Sequence, residues 1–107
     1  MKRELVQKVI TWGKEEGILD ESDSIKQLSK MIEEMAELTH GLACGSIDDV
    51  ADIIGDIQIT LILLLELFNV EAFCKLDYDK CLQMAYNVIS QRSGKMINGD
   101  FVKNDEM

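Results

Sequence analysis

The stretch Glu34-Met-Ala-Glu37-Leu-Thr-His40-Gly41-Leu-Ala-Cys44-Gly45-Ser46-Ile-Asp-Asp-Val-Ala-Asp52-Ile-Ile-Gly-Asp56 decides the fold. Its middle, Gly41 to Ser46, reads as a break between two helices. Glycine commonly follows a helix end, and serine is a favoured first cap of the next helix. If the chain folds back there, residues equidistant from the turn face each other. Glu37 lies eight residues before Gly45 and Asp52 seven after it; Glu34 and Asp56 lie eleven to either side. The two acidic pairs are therefore expected at matched heights of one helical hairpin. Four converging carboxylates repel one another unless a divalent cation sits among them. Hard oxygen ligands of this kind suit Mg²⁺, with Mn²⁺ the alternative.

Helical periodicity continues on both sides of the hairpin. Proline is absent, strand alternation is not evident, and apolar residues recur at spacings of three and four, so the fold class expected is all-α. A first helix is expected from about Lys2 to Glu16, with Leu5, Val9 and Trp12 on one face and Gly17 ending it. Asp20 to Ser24 reads as a polar connector. Ser24 and Gln27 have capping-box spacing, which starts a second helix near Ile25 and runs it to about Ala43. Its core face is Leu28, Met31, Ile32, Met35, Leu38 and Leu42. Ser46 and Asp49 repeat the cap and open a third helix reaching about Phe68. Asn69 to Asp77 stays ambiguous, a short helical piece or an irregular link. A last helix from Tyr78 to about Arg92 gives a four-helix, bundle-like domain over residues 1–95. A tail, 96–107, follows without apolar periodicity, and its final residues are expected to be mobile.

The third helix carries two apolar stripes. Ile47, Val50, Ile54, Leu61, Leu65 and Phe68 form one; beyond Asp56 the opposite side turns apolar as well, with Ile59, Leu63 and Leu67. A helix apolar all round is buried all round. One small domain rarely achieves that alone, so a homo-oligomer with this helix in the contact is expected.

Bulk properties narrow the function classes. With 107 residues the chain makes one domain, and its 47% apolar content is ordinary for a globular protein. A net charge of −9 argues against non-specific nucleic-acid binding, which needs a basic face. Cys44, Cys74 and Cys81 are an odd number without CxxC spacing, as in a reduced cytoplasmic protein. Cys74 and Cys81 read as buried small apolar residues. No signal peptide is evident. The most apolar run, Ile57 to Phe68, falls short of the roughly 20 residues of a membrane span. No membrane is expected as a partner.

The acidic residues also have plainer readings. An ExxE on a helix is usually a solvated face, and acids in a first turn, such as Asp48 and Asp49, offset the helix dipole. The metal reading gains from the matched heights and from Asp52 and Asp56 lying on the least polar helix, where buried acids need partners.

Lys30-Met-Ile-Glu-Glu-Met-Ala-Glu37-Leu, followed by Asp52-Ile-Ile-Gly-Asp56, resembles the MazG-type nucleoside triphosphate pyrophosphohydrolases. So does Ala85-Tyr-Asn87-Val-Ile-Ser-Gln-Arg92-Ser-Gly-Lys95-Met-Ile-Asn-Gly99. The resemblance runs from Trp12 to about Lys103. The family motif is a Glu pair three apart on one helix, then Glu and Asp three apart on the next. Glu34, Glu37 and Asp56 match it. The third ligand position falls on Ile53, with Asp52 beside it as the stand-in. The resemblance implies an all-α bundle, Mg²⁺ dependence and assembly as dimers or dimers of dimers. It also implies cleavage of a nucleoside triphosphate between the α- and β-phosphates. A phosphoribosyl-ATP pyrophosphohydrolase is a neighbouring possibility, and the Arg-Ser-Gly-Lys tail favours the MazG-like group.

In that chemistry Glu34, Glu37, Asp52 and Asp56 are the metal-binding and catalytic candidates, with Glu37 or Glu33 accepting the water's proton. Lys30, Arg92 and Lys95 are candidates for phosphates and Asn87 for the base or sugar. Cations near a helix end and an amide between helices are also ordinary structural features. Trp12 reads as core and His40 as a surface residue. The competing function is a non-catalytic acidic helical oligomer that binds a partner protein.

Overall fold

The structure is a computed structural model and describes residues 3–104. Among these residues five helices precede one antiparallel hairpin: α1 (Arg3–Glu15), α2 (Ile18–Glu21), α3 (Ser24–Cys44), α4 (Ile47–Ala72), α5 (Tyr78–Ile89), then β1 (Gly94–Ile97) and β2 (Asp100–Lys103). The expected start at Lys2 and the mobility expected after Asn104 lie outside the described residues.

α3 and α4 form the long hairpin and pack along each other; α1 and the single-turn α2 lie against α4. Gly17 ends α1 with a left-handed φ of 77°. α2 is an addition to the expected connector. The start of α3 also differs from expectation. Its cap is Asp23, whose carboxylate accepts from the Lys26 amide at 2.8 Å. Ser24 is committed elsewhere: its amide and hydroxyl both donate to the Glu71 carboxylate, at 2.9 and 2.5 Å, tying the start of α3 to the end of α4. Gln27 donates to Ser22 Oγ at 3.1 Å and is buried. The cap of α4 is as expected, a reciprocal box between Ser46 and Asp49.

Gly41 faces α4 closely: a Cβ there would stand 3.2 Å from Ile53 Cδ1 and would require that side-chain end to give by a few tenths of an ångström. Ile53 thus spends its side chain on packing against α3. Asn69 resolves the ambiguous link. Its amide receives the Leu76 N–H at 2.9 Å, donates to the Leu76 carbonyl at 2.7 Å and accepts from Cys74 Sγ at 3.3 Å. α4 consequently ends at Phe73, a non-glycine residue with φ 54°, and Asp77 caps α5 through the Lys80 amide.

The buried apolar core is small: Met31, Ile62, Leu63 and Leu67. Thr60 is buried beside them and satisfies its hydroxyl on the Asp56 carbonyl at 2.7 Å. Leu63 and Leu67 are therefore buried within the single chain, Leu63 against the buried Gly13 of α1. The opposite stripe of α4 is the less covered one, with Ile47, Ile54 and Phe68 exposed and Leu61 and Leu65 half-buried. Trp12 and Cys81 are exposed rather than core, and Cys74 is half-buried. α4 has 26 residues, and its most apolar 18-residue stretch has a mean hydropathy of 1.9, so by length and composition the helix could cross a membrane. The shorter run Ile57–Phe68 understates it, because the apolar positions before Asp56 extend the same helix.

α5 and the hairpin stand apart. Neither has extensive contact with α1–α4, and Leu82, Met84, Tyr86, Val88 and Ile89 are all exposed. The tail, expected only to lack apolar periodicity, forms a hairpin turning at Asn98 (φ 51°) and Gly99 (φ 88°). Asn-Gly accommodates two consecutive positive φ angles at low cost, and this turn matches the twist of the strands it joins. The radius of gyration, 16.7 Å, exceeds the roughly 13 Å of a compact domain of this length.

Candidate metal centre

α3 presents Glu34 and Glu37 one turn apart, and α4 presents Asp56 opposite them. Glu34 is half-buried, and its Oε2 is fully covered with no hydrogen-bond partner. Burial raises its carboxyl above the usual glutamate range; the Glu37 and Asp56 charges push it further the same way. Lys30, one turn earlier on α3, opposes this, and a hydrogen bond with Glu37 favours the protonated form. Glu34, Glu37 and Asp56 thus feel one another directly. A carboxylate oxygen removed from water without a donor is costly, and a cation relieves that cost.

Asp52 joins through Glu37. Both line a cavity of about 570 Å³ at the turn of the α3–α4 hairpin, together with His40, Cys44 and Asp49. No lysine or arginine lines it. Ile53 also borders it but is engaged with Gly41, leaving Asp52 as the carboxylate on that turn of α4. Among the described residues no three His, Cys, Asp or Glu side chains are close enough, as placed, to hold one ion. The hairpin brings the acids to one region; drawing them onto a metal requires side-chain rotation.

The expected substrate residues divide. Lys30 lies beside Glu34. Asn87 is exposed and accepts a hydrogen bond from Gln83 Nε2 at 2.9 Å, one turn earlier on the same helix, so it does not bridge helices. Arg92 lines a second, polar cavity of about 360 Å³ with Gln91, Ser93, Lys103 and Asn104. Asn104 holds this cavity's shape, donating from its amide N–H to the Ser93 carbonyl at 2.9 Å and from Nδ2 to Ser93 Oγ at 2.6 Å. Lys95 is absent from it. Its cross-strand partner is Val102, whereas Lys103 pairs with Gly94, so the two lysines project from opposite faces of the hairpin. In the single chain, neither Asn87, Arg92 nor Lys95 borders the acidic cavity.

Two residues escaped sequence reasoning. Lys103 becomes a neighbour of Arg92 only through the strand register, and the signal for that register was the Asn98-Gly99 dipeptide. His40 reads as surface from its position on the helix, and it is exposed; yet it borders the acidic cavity and touches Cys44. Comparison of the chain with protein-family models, with curated proteins and with solved structures gives no match.

Proposed function

We propose that this chain is a Mg²⁺-dependent nucleoside triphosphate pyrophosphohydrolase, as its resemblance to the MazG-like family implies, releasing a nucleoside monophosphate and pyrophosphate. The observation that carries the reading is the buried, partnerless Oε2 of Glu34 beside Glu37 and Asp56. Glu34, Glu37 and Asp56, with Asp52, would hold the metal. When bound, the metal supplies charge neutralisation for an anionic substrate in a chain of net charge −9.

The remaining roles fall to side chains outside that set or only partly engaged in it. Glu37 or the exposed Glu33 takes a proton from the attacking water. As the new P–O bond forms, the bridging bond between the α- and β-phosphates breaks and pyrophosphate leaves. Lys30 stands one turn from Glu34 and meets a phosphate. Arg92 adds a further cation, delivered from a neighbouring protomer, since α5 and the hairpin do not reach the acidic cavity of their own chain.

Surface area supports the neighbouring protomer. The accessible surface is 8181 Å², against about 6,000 Å² for a compact monomer of this mass. The excess, about 2,000 Å², is larger than the roughly 800 Å² per partner of a standard interface. An isolated two-stranded hairpin and a short lone helix are marginal in water, so a second copy covering them stabilises both. We therefore assign the protein a homodimer or homotetramer.

Titration calorimetry with Mg²⁺ and Mn²⁺ tests the metal reading. Binding by the wild-type protein and its loss in Glu34→Gln is the expected result. Absence of heat for both proteins would favour the non-catalytic acidic helical oligomer.

A further inference from the structure

We propose that Lys103 is a second phosphate-binding cation, held beside Arg92 by the terminal hairpin to take the diphosphate end of a polyphosphate ligand. Arg92 follows α5, and Lys103 is the last residue of β2. Both line the polar cavity of about 360 Å³, together with Gln91, Ser93 and Asn104. Among the described residues no carboxylate lines it. The chain has 20 acidic and 11 basic residues, yet here two cations share one cavity with no acid on its wall. Like charges brought together repel, and a bound anion relieves that repulsion.

Three local devices produce the pairing. A Cβ at Gly94 would collide with the Val102 carbonyl oxygen and stand 3.0 Å from Lys103 Cα, so glycine lets the two strands approach there. The Asn98-Gly99 turn fixes the register that sets Lys103 opposite Gly94. Asn104 then ties the end of β2 to the residue after Arg92, through its two hydrogen bonds to Ser93. Asn104 is thus a positioning residue. A helix end explains one cation and not the other. The dipole of α5 favours Arg92 at its C-terminus. Lys103 reaches the same cavity only through the strand register. A planar guanidinium and a flexible ammonium are the two side-chain groups best suited to phosphate oxygens. The Ser93 hydroxyl accepts from Asn104 Nδ2 and keeps its own proton to donate. Identification of the ligand with the β,γ-diphosphate of a nucleoside triphosphate rests on the hydrolase reading; the anion site itself does not.

Inorganic pyrophosphate, titrated into the metal-free full-length protein by calorimetry, is the probe. The expected result is saturable binding at one pyrophosphate per chain, weakening as salt rises. Lys103→Gln and Arg92→Gln should each raise Kd about tenfold, the equivalent of one charge-assisted hydrogen bond, and Lys103→Arg should keep the wild-type value. Asn104→Ala should raise Kd with an unchanged circular-dichroism spectrum. Lys95→Gln removes the same charge from the opposite face of the hairpin and should leave Kd as it is. No binding by the wild type, an unchanged Kd in Lys103→Gln or Asn104→Ala, or equal weakening by Lys95→Gln and Lys103→Gln overturns the proposal. Glu34→Gln, a variant expected to lose hydrolysis, should bind pyrophosphate as the wild type does, so failure of this site is distinguished from failure of the hydrolase reading.

Discussion

Glu34 and Glu37 lie one turn apart on α3, and burial, followed by the charges of Glu37 and of Asp56 on α4, raises the Glu34 carboxyl above the usual glutamate range. Glu34 thus holds a proton more tightly than a solvated glutamate does. The folded state therefore binds that proton better than the unfolded chain. Its contribution to stability is complete below the ordinary glutamate pKa and is lost as pH rises through the raised one. Metal-free protein is expected to lose stability across that interval. Glu34→Gln should melt higher than wild type at neutral pH, with the difference closing in acid. Equal melting points at neutral pH would contradict it. Added Mg²⁺ should stabilise wild type by an amount that grows with the logarithm of its concentration above Kd, and leave the variant unchanged.

The clamp between Ser24 and Glu71 joins the two ends of the α3–α4 hairpin across 47 residues. Glu71→Ala removes both hydrogen bonds and leaves the Ser24 amide without its partner. A loss of about 1–2 kcal/mol is expected, in the range for bonds to a charged acceptor after discounting for exposure. Denaturant titration reads it directly; a cost near zero would mean that water replaces Glu71 fully.

The two sides of α4 should respond differently to charge. Leu63 is 2% exposed inside one chain, so Leu63→Asp is expected to unfold the protomer. Ile54 is 42% exposed and belongs to the stripe left open, so Ile54→Asp should dissociate the oligomer while leaving helical content intact. Sedimentation velocity with circular dichroism separates the outcomes. A wild-type monomer at micromolar concentration contradicts the assembly.

The hairpin register separates the two cationic candidates of the tail. Arg92 shares a cavity with Lys103 and Lys95 does not. Arg92→Ala is expected to raise KM for a triphosphate about tenfold, the equivalent of one charge-assisted hydrogen bond. Gly99→Val, which places a β-branched residue at φ 88°, should disturb the hairpin and produce a similar rise. Unchanged KM in both variants would remove the tail from substrate binding.

The helical hairpin, its Ser46–Asp49 cap and the pairing of its acidic residues were legible in the sequence because they follow from local rules: cap chemistry, helical period and equal distance from a turn. What was not legible depends on tertiary neighbours. Ser24 has the spacing of a cap, but Glu71 from the far end of α4 takes it, and Asp23 caps instead. Which stripe of α4 faces its own chain was undecidable from a helix apolar on both sides; Gly13 of α1 settles it by admitting Leu63. The hairpin of the tail was legible in principle, from Asn98-Gly99, but its strands are four residues long and carry little alternation. Cys81 and Trp12 were read as core from their places in apolar helical repeats; Cys81 is exposed on α5, which the rest of the chain leaves largely uncovered, and Trp12 is exposed on α1. The contact of His40 with Cys44 follows from helical spacing, but its place on the acidic cavity required the fold.

The most direct test of the central claim is the product analysis of nucleoside triphosphates, canonical and modified, incubated with the purified protein and Mg²⁺. The expected result is monophosphate and pyrophosphate in equal amounts, dependent on Mg²⁺ and abolished in Glu34→Gln and in Asp56→Asn, both still folded. No turnover across the panel, release of single orthophosphates, or full activity in both variants would contradict it.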